Sequence, residues 1–125
     1  AIIVAITDGD RILLTKGRNT TYKHYALVAG FMEIGETPED AVRREVMEEV
    51  GLKIKNIRAH KSQPWAFSDT LMMEFTAELD GDDTITLQEE ELKEASWFER
   101  KDVPLPDSTI SVGQEMIAYF KKGKL

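Results

Sequence analysis

The chain has 125 residues, 42% hydrophobic and 31% charged, enough for one ordinary globular core and too few for two. With no cysteine it builds neither disulfides nor cysteine-ligated zinc sites, and no apolar run reaches transmembrane length. A net charge of −7 argues against DNA or any long nucleic-acid footprint, but leaves room for a small polyanion screened by cations.

The sequence opens at Ala1 inside an apolar run and without a methionine, so residues upstream are expected to have been trimmed. No basic n-region precedes that run, and a reducing cytoplasm is the expected setting, with no membrane association. Residues 1–7 read as a buried strand, Asp8-Gly9-Asp10 as a tight turn and residues 11–15 as the hairpin partner. Polar residues 16–25 read as a loop, and 26–29 as a short strand leading to Gly30.

Thr37-Pro38-Glu39-Asp40 is a helix start: Thr37 caps, Pro38 suits the first turn and Asp40 holds the reciprocal capping position. The helix runs to about Val50 with Val42, Val46 and Val50 as its apolar stripe, and Gly51 suits a left-handed stop. Residues 53–62 and 71–79 read as strands, Gly81-Asp82-Asp83 as a turn, 89–91 as an acidic turn and 95–98 as a short strand. Val103-Pro104-Leu105-Pro106 breaks the chain before a last helix over roughly 109–121. The layout is α+β, with a mixed central sheet between helices.

The most informative stretch lies between Gly30 and Leu52. Glu45, Glu48 and Glu49 stand at i, i+3 and i+4, on one side of the helix, and can converge on one point. Alone, such a run is most often a solvated face. Here Glu49 borders Val42 on the helical wheel and Glu45 follows closely, so the carboxylates rim the packed face. Close carboxylates repel unless cations sit among them, and hard oxygen donors suit Mg²⁺ or Mn²⁺. Gly30 and Gly35 mark a loop that turns sharply or approaches something closely.

This stretch resembles the Nudix box, matching it at Gly30, Glu36, Arg44, Glu45, Val46, Glu48, Glu49, Gly51 and Leu52. The resemblance implies a Nudix-type α/β/α sandwich over 1–125, one hydrolase domain without the upstream zinc ribbon of longer relatives. It also implies hydrolysis of a diphosphate joining a nucleoside to another group. By matched position Glu45 and Glu49 would be metal ligands, with Glu48 a further ligand or a base. The carbonyl of Ala29 would join them, while Arg44 and Glu36 would hold loop against helix. For Arg44 an ordinary surface ion pair is the competing reading.

Downstream, Ser62, Gln63, Pro64, Trp65 and Phe67 resemble the Ser-Gln-Pro-Trp-Pro-Phe-Pro-x-Ser array of NADH pyrophosphatases within that family. Ala66 and Ser68 replace prolines, Asp69 takes the variable place and Thr70 the last serine's. Aromatic faces stack on bases and an amide fixes polar edges, so residues 63–70 are candidate substrate contacts. The competing reading is an aromatic loop folded onto the core. Glu74 stands where the family has a small residue.

The resemblance further makes Glu91 a candidate metal ligand and Gly113 a backbone contact to substrate. For Glu91 the alternative is a solvated acidic tip. His24 and His60 read as ordinary surface or loop histidines.

The expected activity is metal-dependent cleavage of NADH or NAD to nicotinamide mononucleotide and AMP, with NAD-capped RNA ends as further substrates. ADP-ribose or another nucleoside diphosphate derivative is the alternative substrate. A non-catalytic nucleotide-sensing module is the remaining one, and full retention of the box carboxylates weighs against it. Homodimerisation is implied by the family alone.

Overall fold

Alternating and continuous apolar runs set the strands, and their pairing sets the molecule. The computed structural model of the chain describes residues 1–17, 25–64, 71–90, 92–105 and 112–125, with backbone alone at 61–64, 71 and 112. In chain order the elements are β1 (Ile2–Asp8), β2 (Arg11–Gly17), β3 (Val28–Gly30), α1 (Pro38–Val50), β4 (Ile54–Pro64), β5 (Leu71–Leu79), β6 (Leu92–Glu99), a 3-10 turn (Arg100–Asp102) and α2 (Val112–Lys121).

The sheet order is β4-β5-β1-β2-β6, with β3 also paired to β1. β1 and β5 run parallel and the other pairs antiparallel, so the sheet is mixed as expected. Each face carries its own core. On one, Ile2, Val4, Ile6, Leu13, Phe75 and Leu79 pack with Val42, Val46 and Val50 of α1. On the other, Ile3, Ala5, Ile12, Leu14 and Met72 pack with Met116, Ile117 and Phe120 of α2. Alternation along β1 explains the division, because successive side chains leave opposite sides of the pleat. The result is the layered α+β sandwich.

α1 starts and stops as its residues dictate. The hydroxyl of Thr37 accepts a hydrogen bond from the Asp40 amide at 3.2 Å, and Pro38 opens the helix. Gly51 ends it at φ 68°, its amide donating to Met47 at 3.1 Å. Val42, Val46 and Val50 are fully buried. Each burial contributes at most about 1.5–3 kcal/mol.

Four boundaries differ from the sequence reading. β2 extends to Gly17, since pairing with β6 carries it past Thr15 into residues read as loop. β6 likewise runs over Leu92–Glu99 rather than 95–98. β3 is confined to Val28–Gly30, and Ala26 instead bridges to Thr15. β4 continues to Pro64, opposite Leu71. The described part of the last helix begins at Val112; its expected start at 109 lies outside the described residues. Among the described residues no helix is long and apolar enough to cross a membrane.

Candidate functional site

Gly30 ends β3 beside α1 and meets its carboxylates almost in contact. A Cβ added to Gly30 would stand 2.3 Å from Cδ of Glu45 and 2.5 Å from its Oε1. Ala29, Gly30, Phe31, Met32 and Glu33 from the strand and loop, with Arg44, Glu45, Glu48 and Glu49 from the helix, line one pocket. The three helical glutamates are therefore graded by depth. Glu49 is buried at 7% exposure, the Glu45 side chain is 13% exposed and that of Glu48 52%.

This arrangement is locally unfavourable. Carboxylates in the last turns of a helix face the negative end of its dipole, and no basic residue occupies the last turn of α1. A conflict between local preference and fold of this kind is common at functional sites.

Arg44 offsets part of it. Its Nε donates to Glu36 Oε2 at 2.7 Å and its Nη2 to Glu36 Oε1 at 3.0 Å, a bidentate pair. Nη2 also reaches the Phe31 carbonyl at 2.9 Å, while Nη1 reaches Glu45 Oε1 at 3.0 Å and Glu48 Oε2 at 3.2 Å. Glu33 lies 3.8 Å from Nη1. The planar fork thus ties the loop at Phe31 and Glu36 to the helix, as a single lysine nitrogen would not. Hydrogen bonds from Arg44, then from the Glu33 amide, hold the Glu36 carboxyl below the usual glutamate range. The same partners, Glu36 first, raise the Arg44 guanidinium, which stays charged.

Glu45 and Glu48 share the Arg44 guanidinium. Among the described residues, no three acid or imidazole side chains are gathered closely enough to grip an ion. Like charges repel unless positive charge lies between them, and between Glu45 and Glu48 Arg44 supplies it.

The loop after β5 docks onto the end of α1. The Thr86 amide donates to the Val50 carbonyl at 2.8 Å and the Gln88 amide to that of Glu49 at 2.9 Å, satisfying helix-end carbonyls. Leu92 then donates to Gln88 at 3.0 Å. Glu91 itself lies outside the described residues, as do Trp65, Ala66, Phe67, Ser68, Asp69 and Thr70. Gln63 and Pro64 occupy β4 positions opposite Met72 and Leu71. Gly113 opens α2 over β1, where a Cβ would stand 3.1 Å from Ile3 Cδ1.

Sequence reasoning missed the Phe31 carbonyl and the Glu49 and Val50 carbonyls as anchors, since a backbone acceptor leaves no mark on residue type. It also missed the burial of Glu74, at 1% exposure. His60 is a strand residue of β4, its ring edge-on to Tyr119 at 6.0 Å, and His24 lies outside the described residues.

Comparison with known proteins assigns the family and the fold. The NUDIX domain model matches residues 1–120. The NAD-capped RNA hydrolases NudC of Escherichia coli O9:H4 (strain HS) and Shigella boydii serotype 18 are each 47% identical to this chain over 112 residues. Those matches cover 88% of this chain and 43% of either relative, so the chain spans less than half the length of the curated relatives it matches. A NUDIX hydrolase from Nitrosomonas europaea superposes with a TM-score of 0.80 at 25% identity, over 97% of this chain and 70% of that one. A NUDIX-family hydrolase from Clostridium perfringens shares the fold at a TM-score of 0.72 and 17% identity, over 98% of this chain and 93% of that one. The chain belongs to the NUDIX family of hydrolases.

Proposed function

We propose that this domain hydrolyses the diphosphate bond of NAD-type dinucleotides, NADH or NAD⁺, to nicotinamide mononucleotide and AMP, with Mg²⁺ or Mn²⁺. The observation that carries this is the pocket in which Ala29 and Gly30 face Glu45, Glu48 and Glu49. Its donors, carboxylate and carbonyl oxygens, fit a hard divalent cation. Glu45, Glu49 and the Ala29 carbonyl would hold the ions, with Glu48 a further ligand or a base. When bound, such ions neutralise the diphosphate and lower the pKa of an attacking water.

The chain's own residues do the rest. Arg44 and Glu36 keep the loop against the helix, and Gly30 leaves room for the Glu45 carboxylate. Glu91 is proposed as an additional ligand. In support, Gln88, ahead of it, donates to the Glu49 carbonyl, and Leu92, just after it, donates to the Gln88 carbonyl. Gln63, Pro64 and residues 65–70, with the backbone at Gly113, are proposed to receive the substrate.

Dinucleotide specificity is supported by the 47% identity to proteins named NAD-capped RNA hydrolase and by the Gln-Pro-Trp array. NAD-capped RNA ends belong to the same proposal. Cleavage of ADP-ribose is the second reading, favoured by Ala66 and Ser68, which leave the array less rigid than prolines would. A product-resolved assay of NADH, NAD⁺, ADP-ribose and nucleoside triphosphates with each metal decides. NAD-type dinucleotides cut with the highest kcat/KM support the proposal, and an ADP-ribose preference replaces it with the second reading.

A further inference from the structure

Residues 83–88 form a strap that is held at both ends, and one end bears on Glu49. At the first end the Asp83 carbonyl accepts a hydrogen bond from Trp97 Nε1 at 3.1 Å, and the Asp83 side chain accepts one from Arg11 Nη2 at 3.2 Å. The Arg11 guanidinium lies 4.8 Å from the centre of the Trp97 ring. At the other end the Thr86 and Gln88 amides donate to the Val50 and Glu49 carbonyls. Between the two ends Ile85 and Leu87 turn inward onto the α1-side core, while Thr84 and Thr86 stay exposed.

Magnitudes separate the two tethers at Asp83. Its side chain is 52% exposed, so the ion pair with Arg11 contributes little. Trp97 stands on β6 opposite Leu13 and packs, partly buried, against the same core as Ile85 and Leu87. The sheet thus fixes its N–H, and a hydrogen bond of this kind shifts a docking equilibrium roughly 2–12-fold. Glu49 lies in the last turn of α1, where carbonyls find partners outside the helix. Its carbonyl partner is the strap, and the same residue lines the carboxylate pocket at 7% exposure. Opening the strap frees the backbone that aims Glu49.

We propose that Trp97 is a positioning residue for the pocket. By pinning the strap at Asp83 it keeps Gln88 on the Glu49 carbonyl, so that docking of the strap is coupled to binding of a divalent cation. The inference rests on the metal site proposed above. Such coupling is reciprocal: if an open strap spoils the site, a bound cation holds the strap closed. A cation that binds the docked form alone suppresses opening about 100-fold when present at 100 times its Kd.

The test is amide hydrogen exchange at Thr86 and Gln88, which reports local opening, followed by NMR with and without Mg²⁺. Mg²⁺ affinity is set beforehand by competition with Mn²⁺ in electron paramagnetic resonance. At 100 times Kd, exchange at both amides is expected to slow about 100-fold. Gly123, whose amide donates to Phe120 at the end of α2, is expected to keep its rate. Trp97→Phe retains an aromatic ring and removes the donor; without metal it is expected to speed exchange at Thr86 and Gln88 roughly 2–12-fold and to leave Gly123 unchanged. Wild-type exchange that ignores bound Mg²⁺ overturns the inference, whether or not the variant folds. So does equal slowing at Gly123, which would mean general stabilisation, or unchanged exchange in folded Trp97→Phe. Wild type that binds neither cation refutes the metal site itself and takes this inference with it.

Discussion

The α-carbon of Gly30 and the carboxylate of Glu45 occupy adjoining space with no room for a methyl group between them. Gly30→Ala is therefore expected to displace Glu45 while leaving the fold intact, since no left-handed backbone is required at this position. A carboxylate moved by about 1 Å costs on the order of 100-fold in rate when it positions reacting groups. Steady-state kinetics beside circular dichroism checks this; full activity in Gly30→Ala would remove Glu45 from the mechanism.

Glu49, the deepest of the helical acids, is expected to matter most for metal use. Glu49→Gln should lower kcat by roughly 10²–10⁴-fold with the fold retained, and chelation of wild type should abolish turnover. Mn²⁺ titration followed by electron paramagnetic resonance should show weakened binding in the variant. Robust turnover by Glu49→Gln at saturating metal would exclude Glu49 as an essential ligand.

The clamp between Glu36 and Arg44 carries a pH signature. Folding lowers the Glu36 pKa, chiefly through hydrogen bonds from Arg44, so the folded protein binds fewer protons there than the unfolded one. Its stabilisation is present above the ordinary glutamate value of about 4.3 and is lost as pH falls through the lower, folded-state value. Acid unfolding of wild type and Glu36→Gln should show a shallower pH dependence in the variant below about pH 4.3. Identical slopes would mean that the clamp adds nothing to stability.

Gly51 combines a left-handed φ of 68° with close packing, a Cβ there standing 2.8 Å from that of Thr86. Gly51→Ala is expected to destabilise by about 1–3 kcal/mol from backbone strain alone, before the contact with Thr86 is counted. Denaturant titration measures it. Because Thr86 and Gln88 hang from the end of α1, activity should fall further than stability predicts if Glu91 is a ligand. Loss of stability without loss of activity would speak against that role.

Trp65 tests substrate choice. Trp65→Ala is expected to reduce kcat/KM for the dinucleotide by about 1–3 kcal/mol, the size of base–aromatic stacking. A minimal diphosphate substrate should lose less, because the carboxylate pocket is untouched. Equal losses on both would make Trp65 a packing residue.

Local spacing decided α1 and the side on which its acids lie. Thr37, Pro38 and Gly51 delimit the helix, and three glutamates within one turn share a side whatever surrounds them. β5 was legible to its ends because turn or linker residues bound a run in which apolar Met73, Phe75, Ala77 and Leu79 recur at every second position. The pocket itself was not local information. Gly30 meets Glu45 only because β3 pairs with β1 and α1 packs across β1 and β3; the parallel β1–β5 pair, which places Glu74 in the same row as Ile3, joins residues about seventy positions apart. Such pairings follow from which apolar faces bury together, a property of the assembled sheet that no single segment carries. The partners of Arg44, the depth of Glu49 and the length of β6 were settled in the same way. Helical periodicity sets direction, but only the packed neighbours determine what lies at the other end of it.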